Sequence, residues 1–442
     1  MSGRTMVGLA AFLLFAGCVR GAEEPPTPTF DPMWDGWSER ALAAGEGHDH
    51  ADLGQHLNVT TPNFETLGYS PLISPSYGTT AAGHLCGDAD ATRDGRRIAA
   101  IESRSDVGFT LVDITDPSAP TFIGELVMQS TYVYDLAVVP DGRHIVLITQ
   151  PVVPTAPGAP LLEPLAMEWQ SPCNEGPVPL RFQAEDPRPR PPSLLLVDIT
   201  DSEQPTVVDE RPIAGNPHSV DSVILDGRTW VAASVHNAQQ GLGNYNFYEI
   251  LQTAAGPKLN LLSVWTMTVG TDVSEFTREL GHDDAWIVKH PKTGQTLVWI
   301  AHWHSGVFIV DLSDPRNPEQ IGHWTDYDPT KPAGDSGQIH SLFVVQELWD
   351  DRHFTLAGPE HPAKPGSFPT GIIWVLDTTD PTKPFPVGAW TFPHDVEWSG
   401  RLQYSLHYLS VVHRTAFVSA YHAGVWALDL APILQNPFTL LP

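Results

Sequence analysis

Nineteen histidines punctuate this 442-residue chain, and ten of them fall at two recurring kinds of position. His84, His218, His282, His340 and His407 stand in GHLCGD, PHSV, GHDDA, IHSL and LHYL, each opening an apolar, strand-like run. In one further run Tyr134 and Asp135 take that place. His236 (SVHNAQ), His302 and His304 (AHWHSG), His361 beside Glu360 (GPEHP) and His422 (AYHAG) follow the next apolar run of their units. Glu102 and Gln150 occupy the second position in the first two units. Imidazole is the commonest transition-metal ligand among side chains. If the two positions open on one mouth, they would offer Cu, Zn or Fe a nitrogen-rich site. Glu102, Asp135 and Asp283 would then orient the rings from behind. Two rival readings stand beside it: a His-lined pocket for a small ligand, and histidines copied by the repeat for packing alone.

Other chemistry is sparse. GHDHADLGQH (47–56) brings His48, His50, Asp52 and His56 together and could donate ligands or fold over a mouth, although His-rich tracts are commonly just solvated. DADATRDG (88–95) lacks the closing acid of a calcium loop and reads as a strand followed by an Asp-Gly turn. No GxSxG, HExxH, GxxxxGK[ST] or CxxC occurs. An enzyme is still compatible with this, because a site built from several distant segments leaves no local motif.

The elements that must position these residues are repeated. LVDITDPSAPTFIG (111–124), LVDITDSEQPTVV (196–208), IVDLSDPRNPEQIG (309–322) and VLDTTDPTKPFPVG (375–388) share a pattern, with ALDLAPILQNP (427–437) a weaker copy. Each has a strand ending in Asp113, Asp198, Asp311, Asp377 or Asp429, and in the better copies an Asp-Pro step turns the chain into an outer strand. RDGRRIAAI, PDGRHIVLI and LDGRTWVAA add Asp-Gly hairpins upstream. Four strands per unit predict an all-β fold, a single β-propeller of about six four-stranded blades, with seven possible. The 113-residue span between Asp198 and Asp311 must hold two units. PNFETLG (62–68) looks like the outer-strand halves PTFIG, PEQIG and PFPVG, so an N-terminal strand is expected to close the ring. Residues 151–192, rich in Pro, interrupt the second unit as a cap.

The apolar runs ending in Asp resemble those of the bacterial LVIVD-repeat proteins over roughly residues 60–442. That resemblance implies a β-propeller and no particular activity.

Residues 1–22 read as an export signal, with an apolar run from Val7 to Ala16 and a lipobox-like Cys18. A plain signal-peptidase site is the alternative. Residues 23–60 form a Pro-rich, acidic tether ending in the His-containing segment, and 61–442 the propeller. The expected location is extracytoplasmic, periplasmic or at the cell surface, held to a membrane only by an N-terminal lipid. There Cys86 and Cys173 can pair as a disulfide, or remain two thiols. With 24 Lys+Arg against 52 Asp+Glu, the net charge of −28 excludes a nucleic-acid partner. A small ligand or a protein is the expected partner and a monomer the expected state. Two functions fit: a binding or scaffold module, or a metal-dependent oxidoreductase or hydrolase using the histidines.

Overall fold

The computed structural model describes residues 64–70, 72–74, 79–80, 87–102, 107–128, 131–151, 191–236, 244–266, 282–303, 305–326, 339–360, 371–392, 405–420, 424–435 and 439–440. A short pair, β1 (Ile73–Ser74) and β2 (Thr79–Thr80), precedes six blades. Blade 1 is β3 (Gly87–Ala91), β4 (Arg97–Glu102), β5 (Val107–Asp113) and β6 (Thr121–Val127). Blade 2 is β7 (Thr131–Val138), β8 (His144–Pro151), β9 (Ser193–Asp198) and β10 (Thr206–Pro212). Blade 3 comprises β11 (Asn216–Leu225), β12 (Arg228–His236), β13 (Asn244–Thr253) and β14 (Gly256–Thr266). Blade 4 comprises β15 (His282–Lys289), β16 (Thr296–His302), β17 (Gly306–Asp311) and β18 (Glu319–Trp324). Blade 5 holds β19 (Ile339–Val344), β20 (Phe354–Pro359), β21 (Ile372–Asp377) and β22 (Phe385–Thr391), and blade 6 holds β23 (Leu409–Val412), β24 (Thr415–Ser419) and β25 (Val425–Asp429). Each blade is an antiparallel meander, and consecutive innermost strands pack side by side around a central channel. The chain is therefore a six-bladed β-propeller. Blades 3 and 4 fill the span between Asp198 and Asp311. In the second blade β8 ends at Pro151 and β9 begins at Ser193, and the expected cap between them lies almost wholly outside the described residues.

The repeat's aspartates act locally. Asp113, Asp198, Asp311, Asp377 and Asp429 each accept the amide two residues on, from Thr115, Thr200, Ser313, Thr379 and Ala431, at 2.7–2.9 Å. In the steps that follow, Asp116, Asp201, Asp314 and Asp380 do the same for Ser118, Glu203, Arg316 and Thr382. These side-chain turns reverse the chain into the outer strand without leaving amides bare. Asp226 and Gly227, at φ of 50° and 76°, form the tight hairpin that the Asp-Gly pair predicts.

Apolar faces of neighbouring blades stack into cores at the seams between blades 1 and 2, 2 and 3, 3 and 4, 4 and 5, and 5 and 6. The seam on the other side of blade 1 buries a smaller described cluster, Ala99, Val112 and Ile114 with Leu72 packed against it. Three glycines show how seams are fitted. A Cβ at Gly124 of β6 would overlap the Ser202 carbonyl of the next blade's turn, and one at Gly322 of β18 would overlap the Pro381 carbonyl. A Cβ at Gly68 would overlap the Pro117 carbonyl of blade 1. Gly68 thus stands where an outer strand of blade 6 would, and Phe64 sets its ring edge-on to Phe417 of β24 at 6.5 Å. The N-terminal segment spans blades 6 and 1. The tail does something the sequence did not announce: β26 (Thr439–Leu440) passes blade 6 and pairs in parallel with β22 of blade 5.

Along the channel, innermost strands are joined by carboxylates. Val138 donates its amide to Asp88 at 2.8 Å, Val220 to Asp135 at 2.7 Å and Leu342 to Asp284 at 2.8 Å. Each bond crosses from one blade to the next.

Because Gly322 faces a backbone carbonyl that cannot rotate away, Gly322→Ala should lower the unfolding free energy by about 1–3 kcal/mol. Urea denaturation followed by tryptophan fluorescence checks this, and a variant as stable as the parent would show that the seam has slack.

Candidate functional site

The loop entering each innermost strand and the loop between the second and third strands open on the same face. On that face β-bulges re-aim the entering residue. The β7–β8 register shifts between Val133 and Asp135, at Tyr134. It shifts between Pro217 and Val220 in blade 3, at His218, and between Ile339 and Ser341 in blade 5, at His340. In blade 4 the shift spans Asp283 and Asp284. A bulge turns a side chain out of the alternating pleat, which brings His340 to the mouth.

His340 meets two partners there. Its Nε2 lies 3.5 Å from Glu360 Oε2, and His407 Nε2 lies 3.6 Å from Glu360 Oε1. One ligand atom from each of the three residues can be chosen so that all lie within 4.8 Å of one another. His340 and Glu360 are buried, and the His407 side chain keeps 20% of its surface. The two imidazoles are 4.5 Å apart between centroids. Tyr408 stands edge-on to both, and Trp303 stands edge-on to His340 at 6.3 Å. His340 comes from β19, Glu360 follows β20 and His407 precedes β23, so the cluster straddles the seam of blades 5 and 6.

The other expected residues are distributed differently. His218 pairs with Tyr134 across the seam of blades 2 and 3, Nε2 to hydroxyl at 3.0 Å with centroids 4.5 Å apart. In a ring of six that seam is opposite the His340 cluster. His302 is buried, its Nδ1 accepting the Ser305 amide at 3.2 Å, its ring edge-on to Phe308. Glu102 is fully buried at the end of β4. Gln150 donates to the Pro217 carbonyl at 2.7 Å. Asp135 joins blades 2 and 3, as described above, instead of facing an imidazole of the cluster. His236 and His282 lie on β12 and β15, with His282 paired to His302 in register, but their side chains and that of Asp283 are outside the described set. His84, His304, His361, His422, Cys18, Cys86, Cys173, His48, His50, Asp52 and His56 also lie outside the described residues.

The sequence sets Glu360 beside His361 at the second recurring position, but only His361 was counted among the candidate ligands, and Tyr408 was not considered. The available signal was position: Glu360 directly follows the buried strand β20, at the place held by Glu102 in blade 1. Two further histidines with no exposed surface, His290 and His353, belong to the opposite face. Their rings are 4.5 Å apart, and both bond Thr378, His290 through its carbonyl and His353 through its hydroxyl. Burial, ahead of the neighbouring His290, pushes His353 down to about 4, so it is a neutral packing residue.

The channel carboxylates show the cost of their position. Asp135 and Asp284 are largely surrounded by protein, each keeping part of its surface exposed. Burial raises Asp284 to about 7, against the Leu342 amide, with Asp221 adding like charge. Burial likewise holds Asp135 well above the ordinary carboxylate range, with Asp284 and Asp88 adding like charge.

These findings define a class first: an all-β propeller with a His/Glu cluster at one seam of its mouth. The model of the LVIVD repeat matches residues 104–127 and 297–326, within blades 1 and 4, so these two blades carry LVIVD repeats and the six-bladed ring is consistent with an LVIVD-repeat propeller. No curated protein matches. Among solved structures, a functionally unknown protein from Desulfotomaculum acetoxidans DSM 771 is similar at 10% identity and a TM-score of 0.39, covering 80% of this chain and 88% of that one. Kuenenia stuttgartiensis hydrazine synthase is similar at 13% identity and a TM-score of 0.45, covering 81% and 79%. Neither likeness informs the activity of this chain.

Asp284 titrates near 3.8 when unfolded and near 7 when folded, so the folded chain keeps a proton that the unfolded chain releases. The stability this contributes is complete below the unfolded value and is lost as pH rises through the folded one. Asp284→Asn keeps an acceptor and removes the titration. Its stability relative to the parent should rise between about pH 4 and pH 8. Urea titrations at stepped pH measure it, and a pH-independent difference would contradict the assignment.

Proposed function

We propose that this chain is an exported, lipid-anchored binding module whose propeller mouth holds a transition metal ion through His340, Glu360 and His407. The observation carrying the reading is the placement of three metal-ligating side chains from two blades, largely shielded from water, at the face where propellers bind ligands. Two imidazoles and one carboxylate suit Zn, Cu or Fe. Buried, such groups are costly to hold together without an ion or a proton to balance them. The export signal and Cys18 support a location outside the cytoplasm. A binding or scaffold role is the reading that the propeller fold supports, and a metal-dependent oxidoreductase or hydrolase using the same histidines is the alternative.

Titration of the metal-free full chain with Zn²⁺ and Cu²⁺ by calorimetry should give one site. Replacing Glu360 by Gln or His340 by Ala should weaken it roughly a hundredfold or more, since even residues that only support a ligand are worth about 10–100-fold. His218→Ala should leave it unchanged. Absence of stoichiometric binding, or equal loss in His218→Ala, would refute the site. For the anchor, Cys18→Ala should move the protein from the membrane to the soluble extracytoplasmic fraction.

A further inference from the structure

We infer that the seam between blades 4 and 5 carries an acid-sensitive lock on the face away from the mouth, built from His290, His353 and Thr378, which opens when the two imidazoles take up protons. It involves neither the mouth cluster nor any ion there. His290 stands in the turn from β15 to β16, His353 directly before β20 and Thr378 directly after β21, so the first belongs to blade 4 and the others to blade 5. None of the three exposes any surface, and Trp299 of β16, also fully buried, stacks on His290 with centroids 6.1 Å apart. Across the seam His290 Nε2 donates to the Thr378 carbonyl at 3.0 Å. Blade 5 holds the receiving residue in place. Thr378 donates its amide to the His353 carbonyl at 2.9 Å, its hydroxyl bonds His353 Nδ1 at 2.8 Å, and the same hydroxyl reaches that of Thr355 at 3.1 Å.

These bonds select the neutral imidazole. Because a carbonyl only accepts, His290 Nε2 carries the ring proton. Its Nδ1 accepts the amides of Thr293 at 3.0 Å and Lys292 at 3.3 Å, so a second proton would point at two donors and displace the turn. His353 lies 4.5 Å from His290 between centroids, and the seam around them is apolar, with Val288, Leu297 and Leu376, so a charge on either ring is costly. The charged groups nearby are Lys292 on the blade 4 turn, Asp351 and Arg352 before β20, and Asp377, Asp380 and Lys383 after β21. The acids among them are already engaged: Asp377 by Arg352 at 2.7 Å, Asp351 by Lys292 at 3.0 Å, and the exposed Asp380 by the Thr382 amide at 3.0 Å. Lys292 and Asp351 also bridge the two blades, but this exposed pair holds them weakly. Burial, ahead of the neighbouring charges, lowers His290 below the ordinary histidine range and His353 to about 4. A histidine depressed by folding contributes stability that is complete above its unfolded value, 6.5, and is lost as pH falls through the folded one.

The test is amide hydrogen exchange of the full chain at stepped pH, corrected for the slower intrinsic exchange in acid and read by mass spectrometry. Between about pH 7 and pH 4.5 the turns at His290–Thr296 and Thr378–Lys383 should lose protection about fiftyfold, since the open seam takes up a proton near 6.5 and the closed one near 4. The blade 3 hairpin at Leu225–Arg228, which has no such pair, should keep its protection. The double variant His290→Asn, His353→Gln retains a side-chain acceptor for the Lys292 turn and an amide for the Thr378 hydroxyl, and should cut the acid-induced change to a few-fold. Both turns staying equally protected at pH 4.5, or all blades losing protection together, would overturn the inference on the parent chain alone, whether or not the variant folds. A folded double variant that keeps the full change would overturn it as well.

Discussion

Everything in this ring hangs on the hydrogen bond from a backbone amide of one innermost strand to a carboxylate of the strand before it. An innermost strand has no sheet partner on its channel side, and its amides there need acceptors. Asp88, Asp135 and Asp284 supply them across three seams. The same solution crowds acids around one axis, and the molecule accommodates this by leaving buried carboxyls such as Asp284 partly protonated near neutrality. The innermost strands of blades 1 to 4 all carry aspartate, while β19 and β23 carry none. Where that series ends, His340, Glu360 and His407 occupy the mouth.

Bulges connect the repeated scaffold to the individual site. A strict pleat would send alternate residues into the seams, where the apolar cores are. One extra residue at the strand's entry frees a side chain from that alternation without disturbing the packing below. Tyr134, His218 and His340 are all set in this way. What differs is the company each meets: a hydroxyl against an imidazole at one seam, two imidazoles and a carboxylate at the opposite one. The scaffold provides equivalent positions, and the seam decides their chemistry.

This division explains what could be read from the chain alone. The blades were legible because their signals are local: an aspartate bonding the amide two residues on, or an Asp-Gly pair at positive φ, needs no knowledge of the remaining residues. The recurring histidines were legible as positions. Their grouping was not, because His407 reaches Glu360 only through the packing of blades 5 and 6. His361 was counted as a ligand by residue type, although Glu360 stands beside it at the same recurring position. His302 carries a ligand's side chain but spends one nitrogen on the turn at Ser305. Asp135 looked like a second-layer partner for imidazole, and its actual acceptor role across a seam lies 85 residues away in sequence.

The route of the last strand bears on when the site comes into being. β26 returns to blade 5 after the chain has laid down blade 6, and the N-terminal segment must be present to pack against blades 6 and 1. A chain made from its N-terminus therefore emerges with His340 and Glu360 well before His407. The cluster needs both blade 5 and blade 6, so a chain cut short between them would keep two of its three members without the third.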